Sequence, residues 1–453
     1  MKTKLHLDYR KILTAQPQPV HFALEFIADA IANPRSKPAA FCIVLDRSGS
    51  MGGPPLEKAK QAIAMAIRNL RQGDLFGLVV FDDAAQVVIP LQKVSSREGM
   101  ISILQGIIPG GSTNLTGGWM LGRDELKKAP TDTIRRLLVL SDGLLNVGLT
   151  DPVQVRQIVG QGLEMDGIRT ACLGLGNNYD EKLLSSLAEA TNGEFYDADS
   201  PDKFPEIFSQ ELEGLQRLSV QNLRVRVKPL DFCEWVRQMS TCPTVQLPDG
   251  RQEFALGDLM SEEQRVLCLE IGVLPLPCIS GTPVTTLEGE VLIEVEILCD
   301  EISAAGIASR CVRQVVRIQG TQNPAEVTLD ETVVPWVAMQ KAGQALKSAH
   351  DLADRGDLAG AIGVLETTLM FLQKYGTQDK VSEAVQMLAQ LRERLQMGGL
   401  SVRDRKLSEM QRYRSSKLSK KDFSAQMPDA LQPPPPPPMP PPQKPPEEPP
   451  GKP

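Results

Sequence analysis

Hydrophobic residues follow different spacings along the chain, and the changes in spacing divide it into segments. From about residue 39 to 215, short apolar runs such as Phe41–Leu45 alternate with segments of helical period. The first of these is predicted as a helix over 56–70, since its apolar residues recur on one face: Leu56, Ala59, Ile63, Ile67 and Leu70. Strands that alternate with helices predict an α/β fold with a mostly parallel sheet covered on both faces.

A two-residue period replaces the helical one in residues 218–325. Leu223–Lys228 and Val291–Ile297 alternate strictly between apolar and polar side chains, and prolines and glycines separate such runs. Short alternating strands with this punctuation predict an antiparallel β-sandwich. Residues 1–38 contain one further predicted strand, Val20–Ala28, followed by a predicted hinge at Pro34–Pro38.

In the C-terminal part the hydrophobic spacing changes first, at about residue 331, and the composition changes next, at about residue 401. Residues 331–397 are helical in period, with a turn at Asp354–Asp357 of tetratricopeptide type, and a small three-helix bundle is favoured over a repeat array. Residues 401–453 begin with basic residues and end in proline runs. Proline cannot donate backbone hydrogen bonds, so we expect a disordered tail with extended segments. Its Pro433–Pro442 stretch is a candidate ligand for an SH3-like partner, although a spacer role is at least as well supported.

Composition excludes several classes of function. A net charge of -7 and an aromatic content of 4% argue against nucleic-acid binding. No window approaches the 18 apolar residues of a membrane span, and the first residues lack the apolar core of a signal peptide. The eight cysteines include no Cys-x-x-Cys pair, and several lie in apolar runs where a reduced thiol packs as a small hydrophobe. We therefore expect a cytoplasmic protein.

Oxygen-bearing side chains occur where predicted strands of the α/β segment end. They are Asp46, Ser48 and Ser50 after the first strand, Thr113 in a glycine-containing loop, and Asp142 after the strand that ends at Leu140. Ligands bind outside the carboxyl ends of parallel strands, so these side chains are expected at one rim. Mg²⁺ prefers six oxygen ligands, which hydroxyls, carboxylates and waters supply. The set therefore predicts a cation site with a position left for an external carboxylate.

The same residues resemble the complete metal-ion-dependent adhesion site of von Willebrand factor A domains. The matching elements are Asp46-x-Ser48-x-Ser50, Thr113 and Asp142, and the run Ser50–Lys60 is similar to that of bacterial members. The resemblance implies a Rossmann-like fold, a bound Mg²⁺ (or Mn²⁺ or Ca²⁺), and a protein partner that presents Asp or Glu to the metal. In integrin-like relatives the A domain is inserted into a sandwich, so residues 1–38 are expected to contribute their strand to the one at 218–325.

We expect a scaffold or adaptor protein and no enzymatic activity. His6, His21 and His350 lie in different segments, and no general base accompanies the predicted metal ligands. A metal-dependent hydrolase or phosphatase is the less favoured alternative. The resemblance also permits a subunit of an AAA+ ATPase or of a kinase–phosphatase signalling system. Asp82–Asp83, directly after a strand, is interpreted as a hairpin turn in preference to a second-shell or calcium site.

Overall fold

The computed structural model describes residues 1–14, 17–30, 38–131, 133–276, 289–303, 306–373, 375 and 378–417. The predicted hinge at Pro34–Pro38 lies outside these residues except for Pro38. The predicted tail lies outside them from residue 418 onwards, including the proline runs.

Residues 1–30 form strands before the α/β part begins. They are β1 (Lys2–Leu7), β2 (Lys11–Leu13) and β3 (Gln18–Ile27). β1 and β3 pair antiparallel, with Leu5 opposite Leu24. Most of β3 is buried, which agrees with its apolar composition. A strand buried on both faces needs a second layer on each side, and later parts of the chain provide them.

The α/β part contains a six-stranded sheet in the order β6-β5-β4-β7-β8-β9. Its strands are β4 (Ala39–Asp46), β5 (Leu75–Phe81), β6 (Ala85–Lys93), β7 (Ile134–Ser141), β8 (Ile168–Leu175) and β9 (Phe195–Ala198). Its helices are α1 (Pro54–Asn69), α2 (Arg97–Leu104), α3 (Leu115–Lys127), α4 (Pro152–Asp166), α5 (Glu181–Ala190) and α6 (Phe204–Gln216). Only β6 runs antiparallel to its neighbour. Every residue of β4 is buried, since helices cover both faces of the sheet. The prediction of a Rossmann-like α/β fold is confirmed.

The following segment forms strands of two further sheets. They are β10 (Leu218–Pro229), β11 (Cys233–Gln238), β12 (Thr244–Gln246), β13 (Gln252–Met260), β14 (Gln264–Val273), β15 (Glu290–Ser303) and β16 (Gly306–Thr321). One sheet has the order β1-β3-β14-β11 and the other β12-β13-β10-β15-β16-β2. The two sheets share one hydrophobic core. β3 lies between β1 and β14, so the N-terminal strands are part of this sandwich.

The C-terminal helices are α7 (Val334–Asp354), α8 (Leu358–Gln373), α9 (Asp379–Gln396) and α10 (Val402–Lys417). Val337 and Ala338 of α7 share a core with Ala23 of β3 and Cys268 of β14. The four-stranded sheet is therefore covered by its partner sheet on one face and by helices on the other. None of the helices in the described ranges is long and apolar enough to cross a membrane.

The prediction of a disordered tail over 401–453 is wrong for its first part, because Val402–Lys417 is a helix. Helix α10 packs against α7, and it also contacts α5 and β9 of the α/β part. Its basic side chains meet acidic ones there: Lys406 with Glu181, Arg412 with Glu189, and Lys417 with Glu194. These acidic partners lie more than 200 residues earlier in the chain. The basic side chains are therefore paired with acidic groups of the α/β part and do not extend into solvent.

Candidate metal centre

Asp46 is the last residue of β4 and is completely buried. The backbone N–H of Ser48 donates to Asp46 Oδ1 at 2.8 Å, and Ser141 Oγ donates to Asp46 Oδ2 at 2.7 Å. Ser141 ends β7, which pairs directly with β4, so the two strand ends bring these groups together. Each carboxylate oxygen thus has one donor, and the side chain is held in one orientation.

Ser48, Ser50 and Asp142 form a connected group beside Asp46. Ser50 Oγ donates to Asp142 Oδ1 at 2.8 Å, and the hydroxyl oxygens of Ser48 and Ser50 are 3.2 Å apart. A single turn of 3-10 helix at Gly49–Met51 leads into α1, whose first turn contains proline. Proline favours the first helical turn, because its fixed φ suits a helix start. This turn places the Ser50 hydroxyl next to the end of β7.

Thr113 reaches the same rim from the loop before α3. Its backbone N–H donates to Asn146 Oδ1 at 2.8 Å. A Cβ built on Gly143, the residue after Asp142, would lie 3.2 Å from Thr113 Oγ1. The structure therefore brings all five sequence-predicted ligands to one rim, with Ser48, Ser50 and Thr113 lining an open cleft.

Asp82 and Asp83 hold the Thr113 loop in place. Asp82 Oδ1 accepts from the N–H of Ala84 at 3.1 Å, as in a hairpin turn, and Asp82 Oδ2 pairs with Arg47 at 2.8 Å. Asp83 Oδ1 accepts from the N–H of Ser112 at 2.9 Å. A Cβ on Gly110 would collide with the Asp82 carboxylate, so the loop needs glycine there. The hairpin interpretation of this pair holds, and the same residues also support the site.

Among the residues that the structure describes, the two carboxylates of the rim have no basic counter-charge. Burial raises the pKa of Asp46 to about 6, despite hydrogen bonds from Ser141 and Ser48, and burial also raises the pKa of Asp142. Within the described part of the chain, neither forms an ion pair with Lys or Arg. Buried carboxylates are normally paired or bound to a metal. Two carboxylates and three hydroxyls are hard oxygen donors, so these residues fit a hard divalent cation such as Mg²⁺, Mn²⁺ or Ca²⁺.

The rim opens onto a cleft of about 570 Å³ whose far wall the sequence did not predict. That wall comes from the β8–α5 loop and from the start of α10: Asn177, Asn178, Tyr179, Glu181 and Val402. Leu144 and Asn146, in the loop after Asp142, also line the cleft. These residues have no common spacing in the sequence. Ser401 and Asp404 match a capping-box pattern, which was the one local signal for a helix starting beside the cleft.

A family model places this site within a known class of domain. The von Willebrand factor type A domain model matches residues 41–210, which include every residue of the rim. The chain therefore contains a von Willebrand factor type A domain. Proteins with this domain generally mediate protein–protein interactions, and many of them do so through a divalent metal.

Relatives and solved structures extend the comparison beyond that domain. Protein sll0103 of Synechocystis sp. is 26% identical over 352 residues, covering 75% of this chain and 80% of the relative. The inter-alpha-trypsin inhibitor heavy chain H1 of Bos taurus is 29% identical over 159 residues, which is 33% of this chain and only 17% of that protein.

Among solved structures, a von Willebrand factor type A protein from Catenulispora acidiphila matches with a TM-score of 0.67 at 18% identity, covering 86% of this chain and 89% of that one. The ArnB paralog VWA2 of Sulfolobus acidocaldarius matches with a TM-score of 0.60 at 14% identity, covering 92% and 98%. In both cases the matched part of this chain is much longer than the A domain. The similarity in fold therefore includes the sandwich and the helices.

Proposed function

We propose that this protein is a scaffold or adaptor whose A domain binds an acidic residue of a partner protein through Mg²⁺, or through Mn²⁺ or Ca²⁺. The proposed ligands are Asp46, Ser48, Ser50, Thr113 and Asp142. The observation that carries the proposal is a pair of buried carboxylates with no basic partner among the described residues, joined to hydroxyls that face an open cleft.

The surrounding residues suit a binding site of fixed geometry. Ser141 and the Ser48 N–H orient Asp46, while Asp82 and Asp83 fix the loop that carries Thr113. Three of the five donors are neutral, so a cation bound there would retain attraction for a carboxylate from outside. Outer partners that hold the ligands in this way commonly raise metal affinity, because less ordering is needed on binding.

The composition of the cleft supports binding over catalysis. General acid–base catalysis requires a titratable side chain within hydrogen-bond reach of the reacting group. Among the described residues that line the cleft there is no His, Cys, Lys or Arg, Glu181 is the charged one, and the Tyr179 hydroxyl donates to Asp197 at 2.6 Å. Glu181 is paired with Lys406 at 3.1 Å. We therefore infer that the site holds its ligand and does not transform it.

The test is a pull-down from lysate of the source organism, using the full chain with Mg²⁺, with EDTA, and as Asp46→Ala. We expect captured partners to be released by EDTA and lost in Asp46→Ala. Asp202→Ala, at an aspartate whose side chain is 75% exposed, is the matched control and should bind normally. Capture indifferent to both EDTA and Asp46→Ala would overturn the proposal. Turnover of generic phosphatase substrates with Mg²⁺ or Mn²⁺ would favour the hydrolase alternative.

A further inference from the structure

We propose that α10 of the C-terminal helical part belongs to the partner-binding surface, and that it selects a peptide segment whose acidic residue is flanked by uncharged aliphatic side chains. The proposal rests on the proposed function of the metal rim and deepens it. It concerns the wall of the cleft opposite the rim, which comes partly from outside the A domain.

The chain brings α10 to the cleft by a reversal after α9. Gly398 and Gly399 have φ values of 110° and 129°, a left-handed conformation that favours glycine. Ser401 then caps α10: its Oγ donates to Asp404 Oδ2 at 2.7 Å and accepts from the Asp404 N–H at 3.1 Å. The helix consequently begins at the cleft, with Val402 in the lining and 54% exposed.

Lys406 joins α10 to the β8–α5 loop that forms the rest of the wall. It is completely buried, and its Nζ donates to the Tyr179 carbonyl at 2.7 Å and pairs with Glu181 at 3.1 Å. The same ammonium lies 3.4 Å from the centre of the Tyr179 ring. Because a buried charge is retained only when it is fully partnered, these contacts keep α10 and the loop together as one surface.

The chemistry of this surface defines the partner. Glu181 is the one charged residue among the described residues of the lining, and Lys406 pairs with it at 3.1 Å. Leu144 and Val402 are exposed apolar side chains on different walls, at 58% and 54%. The carboxylate of the partner peptide would therefore be attracted to the cation at the rim. The residues that flank it in the peptide would contact aliphatic and amide side chains of the cleft. Charged residues next to the acid would lose solvation there without gaining a partner.

The experiment uses two phage-displayed libraries of linear peptides, one with a fixed central Glu and one with a fixed central Gln. Each is selected on the immobilised full chain in Mg²⁺ and eluted with EDTA. We expect the Glu library to dominate the eluate. Leu, Ile or Val should be enriched about fivefold within two positions of the Glu, which corresponds to about 1 kcal/mol of binding free energy from apolar burial.

Val402→Asp is expected to abolish the aliphatic enrichment, and calorimetric titration of the same variant with Mg²⁺ measures metal binding separately. An aspartate in the first turn of a helix is favourable, so α10 should remain folded. Met397→Asp, at a side chain 78% exposed and outside the cleft lining, is the matched control and should keep the enrichment. A Glu-dependent eluate without flanking preference, or with a preference unchanged in Val402→Asp, would overturn this inference alone. Equal recovery of the Glu and Gln libraries would overturn the proposed function as well.

Discussion

The Ser141 hydroxyl is one of the groups that orient Asp46, beside the backbone N–H of Ser48. Ser141 Oγ donates to Asp46 Oδ2 at 2.7 Å, and both residues are completely buried. Water cannot replace this donor easily, because the pair has no solvent access. The hydroxyl therefore stabilises the ionised carboxylate against the burial that raises its pKa.

We predict that Ser141→Ala weakens Mg²⁺ binding with little effect on folding. Loss of an outer-sphere partner of a metal ligand typically lowers affinity about 10- to 100-fold. Calorimetric titration with Mg²⁺ measures the affinity, and thermal melting of the metal-free protein measures the fold. Ser186→Ala, which removes a hydroxyl that donates to the backbone of its own helix, is the control. Unchanged Mg²⁺ affinity in Ser141→Ala would show that the hydroxyl does not orient Asp46.

Gly110 is the second residue on which the rim depends. Its missing side chain leaves room for the Asp82 carboxylate, which is itself held by Arg47 at 2.8 Å. We predict that Gly110→Ala displaces the loop, weakens Mg²⁺ binding and lowers the free energy of unfolding by about 1–3 kcal/mol. Gly106→Ala should have little effect, since a Cβ there would meet its nearest neighbour at 3.5 Å. Equal Mg²⁺ affinities of the two variants in calorimetry would contradict the prediction.

At the residue scale, the sequence identifies the proposed metal ligands better than the residues that support them. Asp46, Ser48 and Ser50 lie within one short run, so their spacing can be read directly. Asp142 can be placed because it follows a buried strand. The Asp46–Ser141 contact depends on the pairing of β4 with β7, which joins residues 95 positions apart. No local pattern encodes such a pairing.

Helix α10 is held by a buried ionic network at its C-terminal half. Arg412 pairs with Glu409 of the same helix at 2.6 Å and with Glu189 of α5 at 2.8 Å. Each of the three side chains is at most 8% exposed. Buried charges of this kind contribute little net stability when complete, but removal of one partner leaves the others uncompensated.

We predict that Arg412→Leu lowers the free energy of unfolding by about 3–5 kcal/mol, because Glu189 and Glu409 lose their shared cation. Chemical denaturation measures the loss, and hydrogen exchange of Val402–Lys417 shows whether the helix detaches first. Arg414→Leu is the control, since no ion pair of Arg414 is found among the described residues. A similar small loss in both variants would mean that the network does not hold α10 in place.

The error in predicting this element has a physical explanation. A run containing Arg403, Arg405 and Lys406 resembles a solvated tail when it is considered alone. In the fold, Leu407 and Tyr413 are buried, and acidic groups of α5 and β9 face the basic ones. The spacing of hydrophobic residues reveals helices that have a wide apolar face. A helix that is anchored by ionic contacts is recognisable in the sequence mainly by its capping residues.

At the scale of the whole molecule, the four-stranded sheet joins three distant segments of the chain. β3 comes from the N-terminal segment, β14 from the sandwich segment, and α7 packs against them. The two-residue period predicts β10 and β15 well, since each has one face on the core. It does not predict that β14 is buried throughout, because that burial results from the helices on its outer face. The order of strands in the sheets likewise depends on long-range pairing.

Glu270 of β14 lies where these segments meet. It faces His21 of β3 at 3.5 Å, Lys341 of α7 at 2.8 Å and Arg237 of β11 at 2.9 Å, and His21 also bonds Asp8 at 2.7 Å. The contact with His21 and the hydrogen bond from Lys341 outweigh burial and lower the pKa of Glu270 from 4.5 to about 2. The folded state therefore favours the ionised form. This contribution to stability is complete above about pH 4.5 and is lost as the pH falls towards 2.

We predict that Glu270→Gln lowers the free energy of unfolding by about 1–3 kcal/mol at neutral pH, and that the difference from wild type shrinks between pH 4.5 and 2. The opposite shift at His21, whose pKa is raised by Asp8 and Glu270, adds stability below pH 6.5 that is lost at higher pH. Denaturant unfolding across pH 2–7 measures the difference between the proteins, and acid effects common to both cancel. Glu294→Gln, at an exposed glutamate of β15, is the control and should change the free energy of unfolding by less than about 0.5 kcal/mol. A Glu270→Gln difference that stays constant down to pH 2 would show that the junction does not hold this carboxylate ionised.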